Sequence, residues 1–113
     1  MIAITVDDER PMLKALTDIV KASPDINEVY DFSACSAALE WISENHLDVA
    51  FLDINMRGMG GLALAEKITE IYPECKIVFC TGYEEYALNA IQLRCSGYLM
   101  KPITPEAVQK EID

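Results

Sequence analysis

The chain has 113 residues, of which 51% are hydrophobic and 25% charged, so it has the length and composition of one globular domain. Its formal net charge of −10 argues against direct binding to nucleic acid phosphates. The sequence has no apolar run of the ~20 residues that a membrane helix needs, and no basic segment before an apolar stretch at its start. We therefore expect no membrane association and a cytoplasmic location.

The cysteines do not suggest a metal or disulfide framework. There are four of them, Cys35, Cys75, Cys80 and Cys95, and no two form a C-x-x-C pair. The single histidine, His46, stands apart, so the ligand spacing typical of zinc sites is absent. We expect reduced thiols that are mostly buried and serve packing.

Short apolar segments alternate with helical patterns along the chain. The segments that predict strands are Ile2–Val6, Val29–Phe32, Val49–Leu52, Ile77–Cys80 and Gly97–Met100. The helices are marked in turn by Leu13, Leu16 and Val20; by Ala38, Leu39 and Ile42; by Leu64, Ile68 and Ile71; by Ala87, Leu88 and Ile91; and by Val108 and Ile112. This alternation predicts an α/β fold in which a five-stranded parallel sheet carries helices on both faces.

We interpret residues 1–113 as one domain, because the sequence contains no internal linker, repeat or low-complexity tract. The fifth predicted helix stops at Asp113, hardly two turns after Pro105. We therefore expect that the chain was cut in or after this helix, and that the parent protein continues into a further domain.

Polar side chains follow several predicted strands at the points where the strands end. Asp7 and Asp8 follow the first strand, Asp53 the third, Thr81 the fourth and Lys101 the fifth. In a doubly wound sheet these carboxyl ends share one edge, where functional groups gather. The sequence thus predicts that three carboxylates, a hydroxyl and an ammonium group converge.

This set of groups fits phosphoryl transfer. Clustered carboxylates repel one another unless a cation joins them, and oxygen ligands suit Mg²⁺. Lys101 offers a second positive charge and Thr81 a hydrogen-bond donor to phosphoryl oxygens, so the site can position and neutralise the transferred group. The nucleophile would be a carboxylate that forms an aspartyl-phosphate.

Four sequence blocks resemble the receiver domains of bacterial two-component response regulators, the CheY-like superfamily. The blocks are IAITVDDE, VAFLDINMRGMGGLAL, the pair Thr81-Gly82 and GYLMKPIT, in the family's order across nearly the whole chain. The resemblance implies a doubly wound, flavodoxin-like sheet with strand order 2-1-3-4-5. Within this fold we expect a short fifth helix, because the sequence stops at Asp113. The segment YEEYALNA resembles receivers that are joined to LytTR-type DNA-binding domains.

The resemblance also implies a role for each acidic residue. Asp53 matches the phosphoacceptor, and Asp8 matches the main acidic ligand of Mg²⁺. Asp7 resembles the acidic companion that acts through metal-bound water, and Asn55 matches the position whose backbone carbonyl binds the ion. The expected metal ligands are therefore Asp7, Asp8, Asp53 and Asn55.

The remaining matches concern the phosphoryl oxygens and the switch. Thr81 and Lys101 match the switch hydroxyl and the phosphate-pairing lysine, and Tyr98 matches the aromatic residue that reorients with Thr81. One departure is Arg57, where the family commonly has proline, which puts the rigidity of the loop beside the acceptor in question. Its cation can reach toward the acidic cluster or point into solvent; we expect the second, and we do not expect it to abolish the chemistry.

The function implied by the resemblance is a regulatory one. A sensor histidine kinase would transfer a phosphoryl group to Asp53, and the domain would catalyse only its own phosphorylation and dephosphorylation. The modification would remodel the face made by the fourth predicted helix, the fifth strand and the fifth helix. We expect homodimerisation on activation, and contact with DNA only through an output domain absent from this chain.

Two other functions remain to be weighed. A phosphatase of the haloacid-dehalogenase type also phosphorylates an aspartate, but it needs a second aspartate where this chain has Asn55, and a cap for which there is no room. An atypical receiver that only binds proteins typically lacks an acidic or lysine position, and none is lacking here.

Taken singly, Asp8 before Pro11 fits a helix cap, and the glycines of residues 58–61 fit a flexible loop.

Overall fold

A computed structural model describes residues 1–54, 60–81, 97–100 and 103–112. Its strands are β1 (Ile2–Val6), β2 (Glu28–Phe32), β3 (Val49–Asp53), β4 (Lys76–Thr81) and β5 (Gly97–Met100). Its helices are α1 (Arg10–Lys21), α2 (Cys35–Ile42), α3 (Gly61–Ile71) and a final helix (Pro105–Ile112). The helix predicted around Ala87, Leu88 and Ile91 lies outside the described residues.

The strands of the described residues form one parallel sheet in the order β2-β1-β3-β4-β5. In its register Ala3 of β1 lies opposite Val29 of β2 on one side and Val49 of β3 on the other. In the pairing of β3 with β4, Asp53 at the end of β3 lies opposite Cys80. The α/β fold with a parallel sheet that the sequence predicts is confirmed.

Two hydrophobic cores lie on opposite faces of the sheet. Alternate residues of each central strand supply them: Leu52 of β3 belongs to the core with α2 and α3, while Phe51 belongs to the core with α1 and the final helix. All five residues of β3 are buried. A strand covered on both faces must be apolar at nearly every position, which is why β1 and β3 are near-continuous apolar runs in the sequence.

The helices bury the faces that their apolar spacing predicts, with one exception. Leu13, Leu16 and Val20 of α1 are buried, as are Val108 and Ile112 of the final helix. In α3, Leu64 and Ile68 are buried, but Ile71 is 43% exposed, so its assignment to the apolar face is wrong. Ile71 is the last residue of α3, where the helix runs past the edge of the core.

None of the helices in the described part of the chain combines the length and apolar composition that crossing a membrane requires.

Asp48 ties the amino-terminal edge of the sheet together. Its Oδ2 accepts a hydrogen bond from the backbone N–H of Ile2 at 2.7 Å, and its Oδ1 lies 2.8 Å from Nε2 of His46. The N–H of Ile2 lowers the pKa of the Asp48 carboxyl, and His46 lowers it further, against the opposing effect of burial. The carboxylate form of Asp48 is thus favoured in the folded protein.

Replacing Asp48 by asparagine is expected to lower the free energy of unfolding at neutral pH by about 1 kcal/mol, because a charged acceptor is lost at a partly exposed site. Since folding depresses this pKa, the contribution is fully present above the unfolded-state pKa and is lost as the pH falls through the folded-state pKa. Urea unfolding of both proteins at descending pH measures the difference. Asp18→Asn is the control, because the ion pair of Asp18 with Lys14 is exposed. An unchanged difference at low pH would contradict the assignment.

Candidate functional site

Three carboxylates meet at the carboxyl edge of the sheet. Asp7 and Asp8 directly follow β1, and Asp53 is the last residue of β3, the neighbouring strand. Each side chain offers one oxygen, and these oxygens all lie within 4.8 Å of one another. Asp7 is 1% exposed and Asp53 is 6% exposed, while Asp8 is half-buried. The predicted convergence of the three carboxylates is therefore present in the fold.

The backbone around Asp7 holds this side chain in place. Its N–H donates to the carbonyl of Phe32 at 3.2 Å, which extends the pairing of β1 with β2 by one residue. Its Oδ1 accepts the N–H of Glu9 at 2.9 Å. Glu9 is the N-cap of α1 and makes no side-chain capping bond, so Asp8 is not the helix cap that its position before Pro11 also allowed. The Asp8 side chain is instead part of the carboxylate cluster.

The start of α3 is pressed against the end of β3. Gly61 is the first residue of α3, and its N–H donates to the carbonyl of Ile54 at 3.2 Å. A Cβ atom at Gly61 would overlap the carbonyl oxygen of Asp53. Gly61 is therefore required by this close approach, and the interpretation of its glycine-rich segment as a flexible loop is wrong at this residue. Gly58 and Met59 lie outside the described residues.

Gly61→Ala is expected to lower the free energy of unfolding by about 1–3 kcal/mol, because the added methyl group forces the backbone of Asp53 to shift. Gly60→Ala is the matched control: its Cβ would lie 3.5 Å from the carbonyl oxygen of Ile54, an ordinary contact. Chemical denaturation of both variants provides the comparison. Equal stability of the two variants would show that α3 and β3 do not approach as closely as the structure has it.

The family of the chain follows from comparison with known proteins. The family model of the response regulator receiver domain matches residues 3–113. The chain belongs to this family. It is 32% identical over 113 residues to the sensory transduction protein LytT of Enterococcus faecalis, and 30% identical over 113 residues to the sensory transduction protein LytR of Staphylococcus epidermidis. It covers 47% and 45% of these two proteins, so it spans about half the length of the curated relatives it matches.

A solved structure supports the same assignment. The response regulatory domain of protein mrkE from Klebsiella pneumoniae superposes with a TM-score of 0.87 at 28% sequence identity. The superposition covers 99% of this chain and 95% of the other. The receiver domain therefore has the CheY-like, flavodoxin-like fold over nearly its whole length.

Cys35 lies beside the acidic cluster of this receiver domain, a proximity that the sequence did not predict. Burial raises the pKa of its thiol, and the charges of Asp8 and Asp53 raise it further. The thiol is thus kept protonated, which makes it a packing group and not a nucleophile. Cys80, opposite Asp53, is also buried.

Cys75 is the third cysteine that the structure describes, and it is half-buried. Burial, and to a lesser extent the charge of Asp48, raise the pKa of its thiol to about 12. The prediction that the thiols are mostly buried holds for Cys35 and Cys80, while Cys75 is only half-buried. Cys95 lies outside the described residues.

The other predicted site residues are only partly described. Thr81 is the last residue of β4 and Tyr98 lies in β5 opposite Phe79, but only their backbone is described. Asn55, Arg57 and Lys101 lie outside the described residues. The phosphate-binding and switch roles of Thr81, Tyr98 and Lys101 stay predictions.

The donor chemistry of the cluster fits one class of ion. All three groups are carboxylates, which are hard oxygen ligands of the kind that Mg²⁺ prefers. Among the residues that the structure describes, no other set of three histidine, cysteine, aspartate or glutamate side chains lies close enough to share an ion. Within the described part of the chain, Asp7, Asp8 and Asp53 therefore fit a divalent cation.

Proposed function

We propose that this receiver domain accepts a phosphoryl group on Asp53 in a reaction that requires Mg²⁺, and that the modification controls an output carried by a longer response regulator. The observation that carries the proposal is the placement of Asp53 within 4.8 Å of the carboxylates of Asp7 and Asp8. An acceptor needs an oxygen nucleophile beside a site for a cation, and this cluster provides both.

In the proposed reaction a carboxylate oxygen of Asp53 forms a bond to phosphorus while the bond between phosphorus and the donor's histidine nitrogen breaks. Water later attacks the acyl phosphate, which releases inorganic phosphate and restores the carboxylate. Asp7, Asp8, Asp53 and the backbone carbonyl of Asn55 would hold Mg²⁺, which supplies positive charge to the phosphoryl oxygens. The domain would catalyse no reaction other than these two.

Two further residues are assigned to the phosphoryl group and one to the response. Lys101 would pair with a phosphoryl oxygen and Thr81 would donate a hydrogen bond to another. The movement of Thr81 would open space for Tyr98, so that the face made by the predicted fourth helix, β5 and the final helix changes its packing. This is a population shift, because the phosphoryl contacts are available in only one of the two packings.

The proposed partners follow from the family. A sensor histidine kinase would be the phosphoryl donor, and phosphorylation would favour a homodimer through the switched face. The relatives named LytT and LytR are about twice as long as this chain, which supports the proposal that residues 1–113 act as the receiver unit of a longer regulator. In that regulator, contact with DNA would be made by a separate LytTR-type output domain.

The proposal is tested by incubating the chain with acetyl phosphate and either Mg²⁺ or EDTA. Intact-mass spectrometry should show the gain of one phosphoryl group with Mg²⁺ and none with EDTA, because the cation is needed to neutralise the incoming charge. Absence of any gain with Mg²⁺, or the same gain in EDTA, would refute the proposed reaction.

A further inference from the structure

A cleft of about 550 Å³ lies between α1 and β2, and none of the residues of the acidic cluster lines it. Its basic lining residues are Arg10, Lys14 and Lys21, and Asp18 and Asp31 also line it. Buried Leu13 contributes to its wall. The phosphoryl-transfer proposal assigns no role to this cleft.

The charge of the cleft is opposite to that of the molecule. The chain carries nine lysines and arginines against nineteen acidic residues, yet three of those nine cations face two carboxylates here, which gives a local net charge of +1. Within the described residues the one ion pair of the cleft joins Lys14 Nζ to Asp18 Oδ2 at 3.7 Å. Arg10 and Lys21 have no such pair with a described carboxylate. Two exposed cations are thus available at the two ends of the cleft.

The spacing of the cations follows from helix geometry. Arg10, Lys14 and Lys21 are separated by four and seven residues, so they lie along one side of α1. Eleven residues of helix place Arg10 and Lys21 about 16 Å apart along the axis. A row of this length matches about five residues of extended chain.

The opposite wall of the cleft is an edge strand. β2 stands at the end of the sheet order and pairs only with β1 among the described strands, so its outer N–H and C=O groups have no strand partner there. Val29 packs against the core on the α1 side, and Asp31, two residues later, lies on the same face. An extended segment that pairs with this edge would project every second side chain toward α1.

We propose that the cleft between α1 and β2 binds an extended, aspartate- and glutamate-rich segment of a partner protein, which adds to the outer edge of β2 and pairs its carboxylates with Arg10, Lys14 and Lys21. The rest of the acidic surface repels such a segment, so the segment binds most favourably at the cleft. This interaction goes beyond the proposed phosphorylation and does not require it. Because the ion pairs are exposed, binding should be weak and sensitive to salt.

The probe for this proposal is a peptide of about ten residues in which glutamate alternates with valine, so that all its carboxylates share one face when it is extended. A peptide with lysine in place of glutamate is the control probe. In ¹⁵N-labelled protein the glutamate peptide should shift the amide signals of α1 and β2 and slow hydrogen exchange along β2. The lysine peptide should do neither. Shifts confined to another face would overturn the proposal.

Two double variants with the same change in net charge separate a local effect from a general one. Lys14→Glu with Lys21→Glu reverses two cations of the cleft, and Lys67→Glu with Lys110→Glu reverses two exposed cations elsewhere. The first variant should bind the glutamate peptide about tenfold more weakly than the second, because attraction becomes repulsion at the cleft alone. Equal weakening in both variants would refute the site. If a single-stranded oligonucleotide of equal charge bound as tightly, the cleft would be a general polyanion site and the assignment to a peptide would be wrong.

Discussion

Asp53→Asn is expected to reduce phosphorylation by acetyl phosphate to less than about 1% of the wild-type level, because an amide oxygen cannot replace the carboxylate nucleophile. The substitution keeps the size and shape of a side chain that is only 6% exposed, so the fold should be retained. Intact mass after incubation with acetyl phosphate and Mg²⁺ gives the extent of modification. Borohydride reduction of the acyl phosphate, followed by peptide mapping, identifies the modified residue in the wild type.

The matched control for this experiment is Asp31→Asn, which removes one carboxylate at an exposed position of β2, outside the cluster. It should be phosphorylated like the wild type, since it loses the same charge without losing the acceptor. If Asp53→Asn gained the same mass as this control, the acceptor would be another residue. If neither variant reacted, net charge and not the identity of the acceptor would control the reaction.

The strands at the centre of the sheet were predictable because burial on both faces dictates their composition. β1 and β5 have the bounds that the sequence predicts, and β3 and β4 extend the prediction by one or two residues. β2 is harder to recognise, because as an edge strand it carries exposed residues such as Glu28 and Asp31 among its apolar ones. Local composition thus predicts a strand best where burial on both faces excludes polar residues from it.

The candidate site was predictable where it depends on topology and not where it depends on close approach between distant segments. The convergence of Asp7, Asp8 and Asp53 follows from β1 and β3 being parallel neighbours. The alternating pattern predicts the parallel sheet, and the resemblance to receiver domains implies the strand order that makes these two strands adjacent. The steric need for Gly61 and the proximity of Cys35 to the carboxylates arise from how α3 and α2 are placed on the sheet. Neither distance is encoded in a local pattern, although two adjacent glycines before a helix were a signal that a close approach should be considered.

Mg²⁺ is expected to stabilise the wild-type domain against unfolding, because an ion that binds the folded carboxylate cluster and not the unfolded chain shifts the equilibrium. At a Mg²⁺ concentration ten times the dissociation constant the gain is about 1.4 kcal/mol. For a domain of this size that corresponds to a rise in Tm of about 6 °C. Thermal unfolding followed by circular dichroism, with Mg²⁺ titrated at constant ionic strength, measures the effect.

Asp8→Asn should abolish this Mg²⁺-dependent rise in Tm. Asp8 is the half-buried member of the cluster, while Asp7 and Asp53 are almost fully buried, so it is the carboxylate whose replacement disturbs packing least. Removing one of three anionic ligands weakens the attraction for the cation. Two carboxylates also repel one another less in total than three do, so the cation relieves less repulsion when it binds. Both effects lower the affinity for Mg²⁺. Asp18→Asn, at an exposed position on α1, should retain the full rise. An equal rise in both variants would place the ion outside the cluster, and the role of the three carboxylates in holding Mg²⁺ would have to be abandoned.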